Sequence, residues 1–223
     1  ISLQQTLQLI RVVVQVVEER VVREDPTLRE AVLLYSREIA FSAADVYAKA
    51  AEARGLWDAR LEALVVDSIL SGEHTDDISS RVAALGWRAT GAALVLIGNG
   101  DANLDSDQLR RIARKSEADV LIGVHGDRLI VVIGKVSKAA SERSAGSFAS
   151  IVSLLEPFFA PGALVVGPVV RDVSAAHNSA RAALSAFAVL RNASKLQRIT
   201  QADDVLAERA LAGDALAKQT LVE

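Results

Sequence analysis

The spacing of apolar residues changes near Trp87, and this change limits the chain to two kinds of structure in succession. Before Trp87, apolar residues recur three and four positions apart, as they do on one face of an α-helix. After it they form short continuous runs, at 92–98 and 129–134, of a length typical of buried β-strands. We therefore predict a helical bundle in residues 1–88, followed by a domain that contains a β-sheet.

Residues 1–88 are expected to form four helices. The first ends before Pro26 and carries a four-three seam of the kind that packs along a partner helix. The seam consists of Leu3, Leu7, Ile10, Val14, Val17 and Val21. Asp25 is expected to cap the second helix and Gly55 to end it. Asp58 caps a third helix that ends at Gly72, and a short fourth helix is marked by Ile78, Val82 and Leu85.

The remaining residues alternate between strand and helix patterns. Strands are predicted at 92–98, 120–124, 129–133 and 163–166, with a turn signal at 99–101. Helices are predicted at 106–116, 141–159 and 174–190, the second of them stopped by Pro161 and Gly162. This order is ferredoxin-like, an antiparallel sheet with helices on one face. The fold class is therefore α+β, with an N-terminal helical bundle, an α/β domain at 89–193 and a linker at 194–223.

Composition excludes several classes of function for this part of the protein. The net charge of −3 is the wrong sign for a chain that neutralises nucleic-acid phosphates. The absence of cysteine removes disulfides, thiolate nucleophiles and cysteine metal sites, and it favours a cytoplasmic location. The apolar runs are far shorter than the roughly 20 residues needed to span a bilayer, so no membrane association is expected.

Four stretches of sequence resemble the PucR/CdaR-type transcription regulators. They are 80–87 (SRVAALGW), 119–133 (DVLIGVHGDRLIVVI), 165–168 (VVGP) and 179–184 (SARAAL). The resemblance implies that residues 89–193 are a degenerate GGDEF-like domain. It also implies that promoter DNA is bound only through a C-terminal helix-turn-helix that would follow residues 194–223.

Two segments of the helical region, 35–41 (YSREIAF) and 57–64 (WDARLEAL), resemble the actinobacterial branch that regulates fatty acid and mycolic acid biosynthesis. For this branch the implied effector is a long-chain acyl-CoA or a similar amphiphile. A pocket is expected where aromatic residues concentrate, since four of the nine in the chain lie between positions 35 and 57. Its candidate ligand-binding residues are Val13, Val17, Tyr35, Arg37, Ile39, Phe41, Tyr47, Trp57 and Arg60.

In this pocket, apolar side chains would hold an acyl tail, and Arg37 or Arg60 would meet an anionic head group. The alternative is that the aromatic residues belong to a core and both arginines are solvated. The seam of the first helix likewise has two explanations, packing within the bundle or a homodimer or larger homo-oligomer. A dimerisation scaffold without a ligand is a further possibility.

The residues at 125–129 argue against catalysis. In active GGDEF cyclases a hairpin holds two glycines, followed by acidic residues that serve phosphate and metal binding. The matching positions here are His125, Gly126, Asp127, Arg128 and Leu129. A cation at Arg128 disfavours Mg²⁺, and His74, His125 and His177 lack metal-ligand spacing. We therefore predict no catalytic residue, no metal and no cofactor, with a divergent nucleotide-binding enzyme relic as the alternative.

Overall fold

A computed structural model describes residues 3–17, 19–20, 25–72, 75–136, 145–191 and 198–222 of the 223-residue chain. It divides into two compact units, the first covering residues Ile1–Ala59 and the second Arg60–Glu223. The division precedes the boundary that the sequence suggested near Trp87. The reason is that helical residues beyond position 60, such as Val65, Ile69 and Ile78, are buried in the core of the second unit.

The first unit contains helix α1, Leu3–Val17, and the N-terminal part of helix α2, Arg29–Ser71. A short 3-10 helix, Pro26–Leu28, leads into α2. The capping prediction is confirmed, because the Asp25 carboxylate accepts hydrogen bonds from the backbone N–H and the hydroxyl of Thr27, at 3.0 and 2.6 Å. The same bonds lower the pKa of Asp25. Position 21, the last of the seam, lies outside the described residues.

The prediction of separate second and third helices is wrong, because α2 runs without a break for 43 residues through Gly55 and Asp58. A glycine inside a helix costs only about 1 kcal/mol relative to alanine, and no proline interrupts this segment. The helix ends where predicted, at Gly72, which has a positive φ of 73° and donates its N–H to the Ser68 carbonyl. Within the described ranges, no helix is both long and apolar enough to cross a lipid bilayer.

The second unit is built around a five-stranded sheet in the order β2-β3-β1-β4-β5. Its strands are β1 Ala93–Gly100, β2 Ala118–His125, β3 Arg128–Lys135, β4 Phe159–Val166 and β5 Ile199–Gln201. Its remaining helices are α3 Thr75–Ala84, α4 Ser106–Lys115, α5 Ala145–Leu155, α6 Ala176–Leu190, α7 Leu206–Leu211 and α8 Ala215–Val222. The first four strands pair antiparallel, which confirms the ferredoxin-like order, and β5 pairs parallel to β4.

Helices cover both faces of this sheet, whereas the sequence interpretation placed them on one. The crossover helices α4 and α5 pack on the face that carries Leu96 and Val131. The end of α2, together with α3 and α6, packs on the face that carries Ile97 and Val132. Consecutive strand residues are therefore all buried, which explains why the strands read as continuous apolar runs rather than as an alternating pattern.

Pro161 and Gly162 do not stop a helix as predicted. Helix α5 ends at Leu155, a 3-10 turn follows at Glu156–Phe158, and Pro161 and Gly162 lie inside strand β4. The register of β4 against β1 shifts between Gly98 and Gly100, and the Asn99 amide donates to the Pro161 carbonyl at 2.7 Å. A bulge of this kind accommodates a proline within a strand. The predicted turn at 99–101 likewise begins later, because β1 extends through Gly100.

The segment at 194–223, interpreted as a linker, is folded over 198–222. It supplies β5, α7 and α8, and it buries the side chain of Arg209. The Arg209 guanidinium donates to the Asp214 carboxylate at 2.8 Å and to the Ala202 carbonyl at 2.9 Å. Burial alone would raise the pKa of Asp214, but hydrogen bonds from Ser185 and Arg209 outweigh it and the net pKa is lowered. The arginine contacts hold the segment together, and the Ser185 hydrogen bond and the pairing of β5 with β4 join it to the rest of the second unit.

Candidate functional site

An apolar groove of about 470 Å³ lies between α1 and α2 within the first unit. The lining residues are Leu9, Ile10, Val13, Val14, Val17, Leu28, Ala31, Val32, Tyr35, Ser36 and Ile39. Among them only Tyr35 and Ser36 carry polar side chains, and the Ser36 hydroxyl donates to the Val32 carbonyl at 2.6 Å. Because that hydroxyl is already bonded to its own helix, the groove presents an almost wholly apolar surface.

Helical periodicity explains why these residues share one groove. On α1, Ile10, Val14 and Val17 recur at four-three spacing, and on α2, Val32, Tyr35 and Ile39 do the same. Residues three and four apart lie on one face of a helix, so each helix contributes one apolar face to the groove. The seam of α1 was predicted as a surface for packing within the bundle or for a dimer. The other lining residues could have been predicted by assuming that the apolar faces of α1 and α2 meet.

Four of the nine predicted ligand-binding residues line this groove: Val13, Val17, Tyr35 and Ile39. The other five do not. Phe41 and Trp57 are each 67% exposed and lie outside the lining, and the Tyr47 hydroxyl is 2.7 Å from the Thr6 hydroxyl. The predicted aromatic cluster is therefore spread along α2 instead of surrounding one cavity.

The two predicted head-group residues, Arg37 and Arg60, are both outside the groove. Arg37 follows Tyr35 by two positions, and at about 100° per residue this places it on the far side of the helix from the lining. Arg60 belongs to the second unit. The described residues that line the groove carry no charge, so the groove itself offers a site for an apolar chain and none for an anionic group.

The hairpin that connects β2 and β3 is the second candidate site. Gly126 adopts a positive φ of 65°, as the two-residue turn requires. The Asp127 carboxylate lies 3.2 Å from the Arg191 guanidinium, and the His125 imidazole lies 3.4 Å from the Asp67 carboxylate. The Arg128 guanidinium lies over the Phe187 ring, 5.7 Å from its centroid.

The two described histidines, His125 and His177, lie in different elements, strand β2 and helix α6. The His177 Nδ1 is 3.3 Å from the Ser174 carbonyl, a local contact at the start of α6, and His74 is outside the described residues. Across the part of the chain that the structure describes, no three histidine, cysteine, aspartate or glutamate residues come together as a metal site would require.

Comparison with protein families identifies the second unit. A family model for the GGDEF-like domain matches residues 71–189, more than half of the chain. The chain belongs to the GGDEF-like domain family. The match begins at the end of α2, includes all of β1 to β4, and ends within α6. The GGDEF-like domain thus contains the hairpin whose sequence departs from that of active cyclases.

Mycobacterial relatives match almost the full length of this chain. The uncharacterized proteins Mb2266 of Mycobacterium bovis and Rv2242 of Mycobacterium tuberculosis are each 35% identical over 235 residues, which covers 97% of this chain. The match includes only 55% of each relative, so the chain spans about half the length of the curated relatives it matches. The similarity therefore extends through the helical first unit as well as the GGDEF-like domain.

A solved structure shares the fold. It is the crystal structure of a regulator of polyketide synthase expression from Bifidobacterium adolescentis, with a TM-score of 0.58 and 24% sequence identity. The similarity covers 72% of this chain and 62% of that one.

Proposed function

We propose that this chain is the effector-binding and dimerising part of a DNA-binding transcription regulator of fatty acid or mycolic acid biosynthesis genes. The effector is a long-chain acyl-CoA or a similar amphiphile. The apolar groove between α1 and α2 is the observation that carries this proposal. The fold shared with the Bifidobacterium regulator of polyketide synthase expression supports a regulatory role.

The groove suits an acyl chain on the basis of both its size and its chemistry. A cavity of about 470 Å³ falls in the range of small-molecule sites, and its uncharged lining matches a hydrocarbon tail. Each methylene that leaves water contributes about 0.8 kcal/mol. Affinity should therefore rise with chain length until the groove is filled. The nucleotide head group would remain outside the groove, because none of the residues lining it is charged.

Calorimetry across a series of acyl-CoA lengths tests the effector. Four additional carbons should tighten binding by roughly 3 kcal/mol while the groove still has room. The variant Ala31→Trp should fill the groove and abolish the dependence on chain length. Ala44→Trp is a matched control, since Ala44 lies on the same helix, is exposed and does not line the groove. Equal binding to both variants would contradict the proposed site.

Dimerisation is supported by apolar residues of α1 that lie outside the groove. Val12 and Val16 are 59% and 45% exposed, although valine is usually buried. Covering such residues with a second copy would remove them from water. In sedimentation experiments the chain should form dimers that the double variant Val12→Lys and Val16→Lys converts to monomers. A monomeric wild-type chain at all accessible concentrations would refute dimerisation.

Binding of promoter DNA is assigned to the remainder of the full-length protein. The net charge of −3 disfavours phosphate contacts by this chain. In a gel-shift assay the full-length protein should retard promoter DNA, and residues 1–223 alone should not. Salt-sensitive, sequence-selective retardation by residues 1–223 would refute this assignment.

We further propose that the GGDEF-like domain has no cyclase activity, because Arg128 stands where active cyclases carry an acidic residue. Incubation with GTP or ATP and Mg²⁺ should yield no cyclic product. Turnover that disappears in the variant Asp127→Ala would show instead that the hairpin is catalytic.

A further inference from the structure

A second pocket, of about 500 Å³, opens beside the hairpin within the second unit. It lies on the sheet face covered by α2, α3 and α6, where Arg128 shares the side of β3 that carries Ile130 and Val132. Its apolar walls come from Leu64, Leu70, Ile130 and Leu184. Leu64 is 58% exposed, so part of this apolar wall faces solvent. The pocket is separate from the groove of the first unit.

Arg128 is the cation that lines this pocket. Its Nε is buried and has no hydrogen-bond partner among the described residues, although the side chain as a whole is 33% exposed. The Phe187 ring stabilises one face of the guanidinium but accepts no conventional hydrogen bond. The nearest carboxylate, that of Asp127, is 3.9 Å from Nε, which is beyond hydrogen-bond distance.

Asp67, which lines the pocket, and Asp127 beside it each have a closer partner than Arg128. Asp127 pairs with Arg191 at 3.2 Å, and Asp67 lies 3.4 Å from His125. Arg128 is therefore left with hydrogen-bonding capacity beside an apolar cavity. The buried Nε cannot itself reach a ligand, so a ligand in the pocket would accept hydrogen bonds from the exposed part of the guanidinium.

We propose that this pocket binds a small apolar carboxylate. The carboxylate would accept hydrogen bonds from the Arg128 guanidinium, whose planar donors match its geometry. The hydrocarbon body would lie against Leu64, Leu70 and Leu184. This site would make the hairpin of the GGDEF-like domain a sensor for an organic acid, in addition to the effector groove of the first unit.

The test uses benzoate as the probe, with benzamide as an uncharged analogue of the same shape and inorganic phosphate as an anion without an apolar body. The NMR signal of the Arg128 Nε–H, assigned by its loss in the variant Arg128→Lys, should shift saturably with benzoate. Benzamide and phosphate should bind at least tenfold more weakly, because each lacks one of the two features that the pocket recognises.

Variants locate the site. Arg128→Gln should weaken benzoate binding by about tenfold or more, whereas Arg114→Gln, at an exposed arginine on α4, should leave it unchanged. Leu184→Trp narrows the pocket without altering its charge and should also weaken binding. If Arg128→Gln fails to fold, the response of the wild-type Arg128 signal to benzoate and the benzoate binding of Leu184→Trp still test the proposal. An unshifted Arg128 signal, equal binding of benzamide, or a response to phosphate without a response to benzoate would overturn the proposal.

Discussion

The two units of this chain differ in where their apolar side chains lie. Every buried hydrophobic residue in the described chain lies at or after Val65, in the second unit. In the first unit, by contrast, large apolar residues such as Leu9, Tyr35 and Phe41 are 67–70% exposed. The second unit therefore supplies its own core. The helices of the first unit leave large apolar side chains exposed, as surfaces that bind a ligand or a partner do.

The largest expected effect follows from this difference in burial. Ile97→Ala, at a fully buried position of β1, should lower the free energy of unfolding by about 2–5 kcal/mol, because it leaves a cavity between sheet and helices. Leu33→Ala, at a 52% exposed position of α2, should change it by no more than about 0.5 kcal/mol. Urea denaturation measures both. A loss of similar size for Leu33→Ala would mean that the first unit has a core of its own.

Ion pairs on α2 provide a second contrast. Glu62, in the second unit, is buried and accepts hydrogen bonds from the Arg110 guanidinium at 2.9 Å and from the Ile122 N–H of the edge strand at 2.7 Å. Glu62→Gln should lower the free energy of unfolding by about 2–3 kcal/mol, since it leaves the half-buried Arg110 without its charged partner.

The control is an ion pair in the first unit. Asp45 and Lys49 lie 2.8 Å apart, but both side chains are largely exposed. Asp45→Asn should therefore change stability by less than about 0.5 kcal/mol. Chemical denaturation of both variants at low and high salt gives the comparison. If Glu62→Gln and Asp45→Asn lost equal stability, the ion pairs of the two units would not differ in their contribution to folding.

Glycine substitutions should change stability in opposite directions in the two units. A Cβ at Gly134 would lie 2.3 Å from the Trp87 ring, so Gly134→Ala should destabilise by about 1–3 kcal/mol. A Cβ at Gly55 would meet nothing within 4 Å, so Gly55→Ala should stabilise α2 by roughly 0.5–1 kcal/mol. Thermal melts of both variants test this. A destabilised Gly55→Ala variant would show that position 55 is packed or that the helix is interrupted there.

Much of the fold was predictable from local sequence. Strands β1 to β4 were predicted within a few residues, and the ferredoxin-like order followed from the alternation of apolar runs and helical repeats. Strand β5 was missed, because its segment was interpreted as a linker. The predictions were wrong where a residue type that usually ends a helix is held in another conformation by the rest of the fold. Gly55 was predicted to end a helix, but it lies inside the long helix α2. Pro161 was predicted to stop a helix, but it lies in strand β4 beside a bulge.

The candidate site was predictable only in part. Val13, Val17 and Ile39 were predicted as apolar walls and Tyr35 as part of an aromatic cluster, and all four line the groove. Residue type alone suggested Phe41, Trp57 and Arg60, and the structure does not bring these to the groove. An aromatic or charged side chain can serve at a pocket or at the surface, and its position along one helix does not distinguish these roles.

The sequence by itself determined the α+β class, strands β1 to β4 and the residues at the hairpin, since spacing and residue identity are local properties. Only the tertiary structure decided that helices cover both sheet faces, that 198–222 is folded, and that Arg128 lies beside a pocket with an unpartnered Nε. The physical reason is that burial and hydrogen-bond satisfaction depend on residues far apart in the chain. Arg128 and Phe187 are far apart in the sequence, and only the fold brings the guanidinium over the ring and beside residues of α2 that line the same pocket.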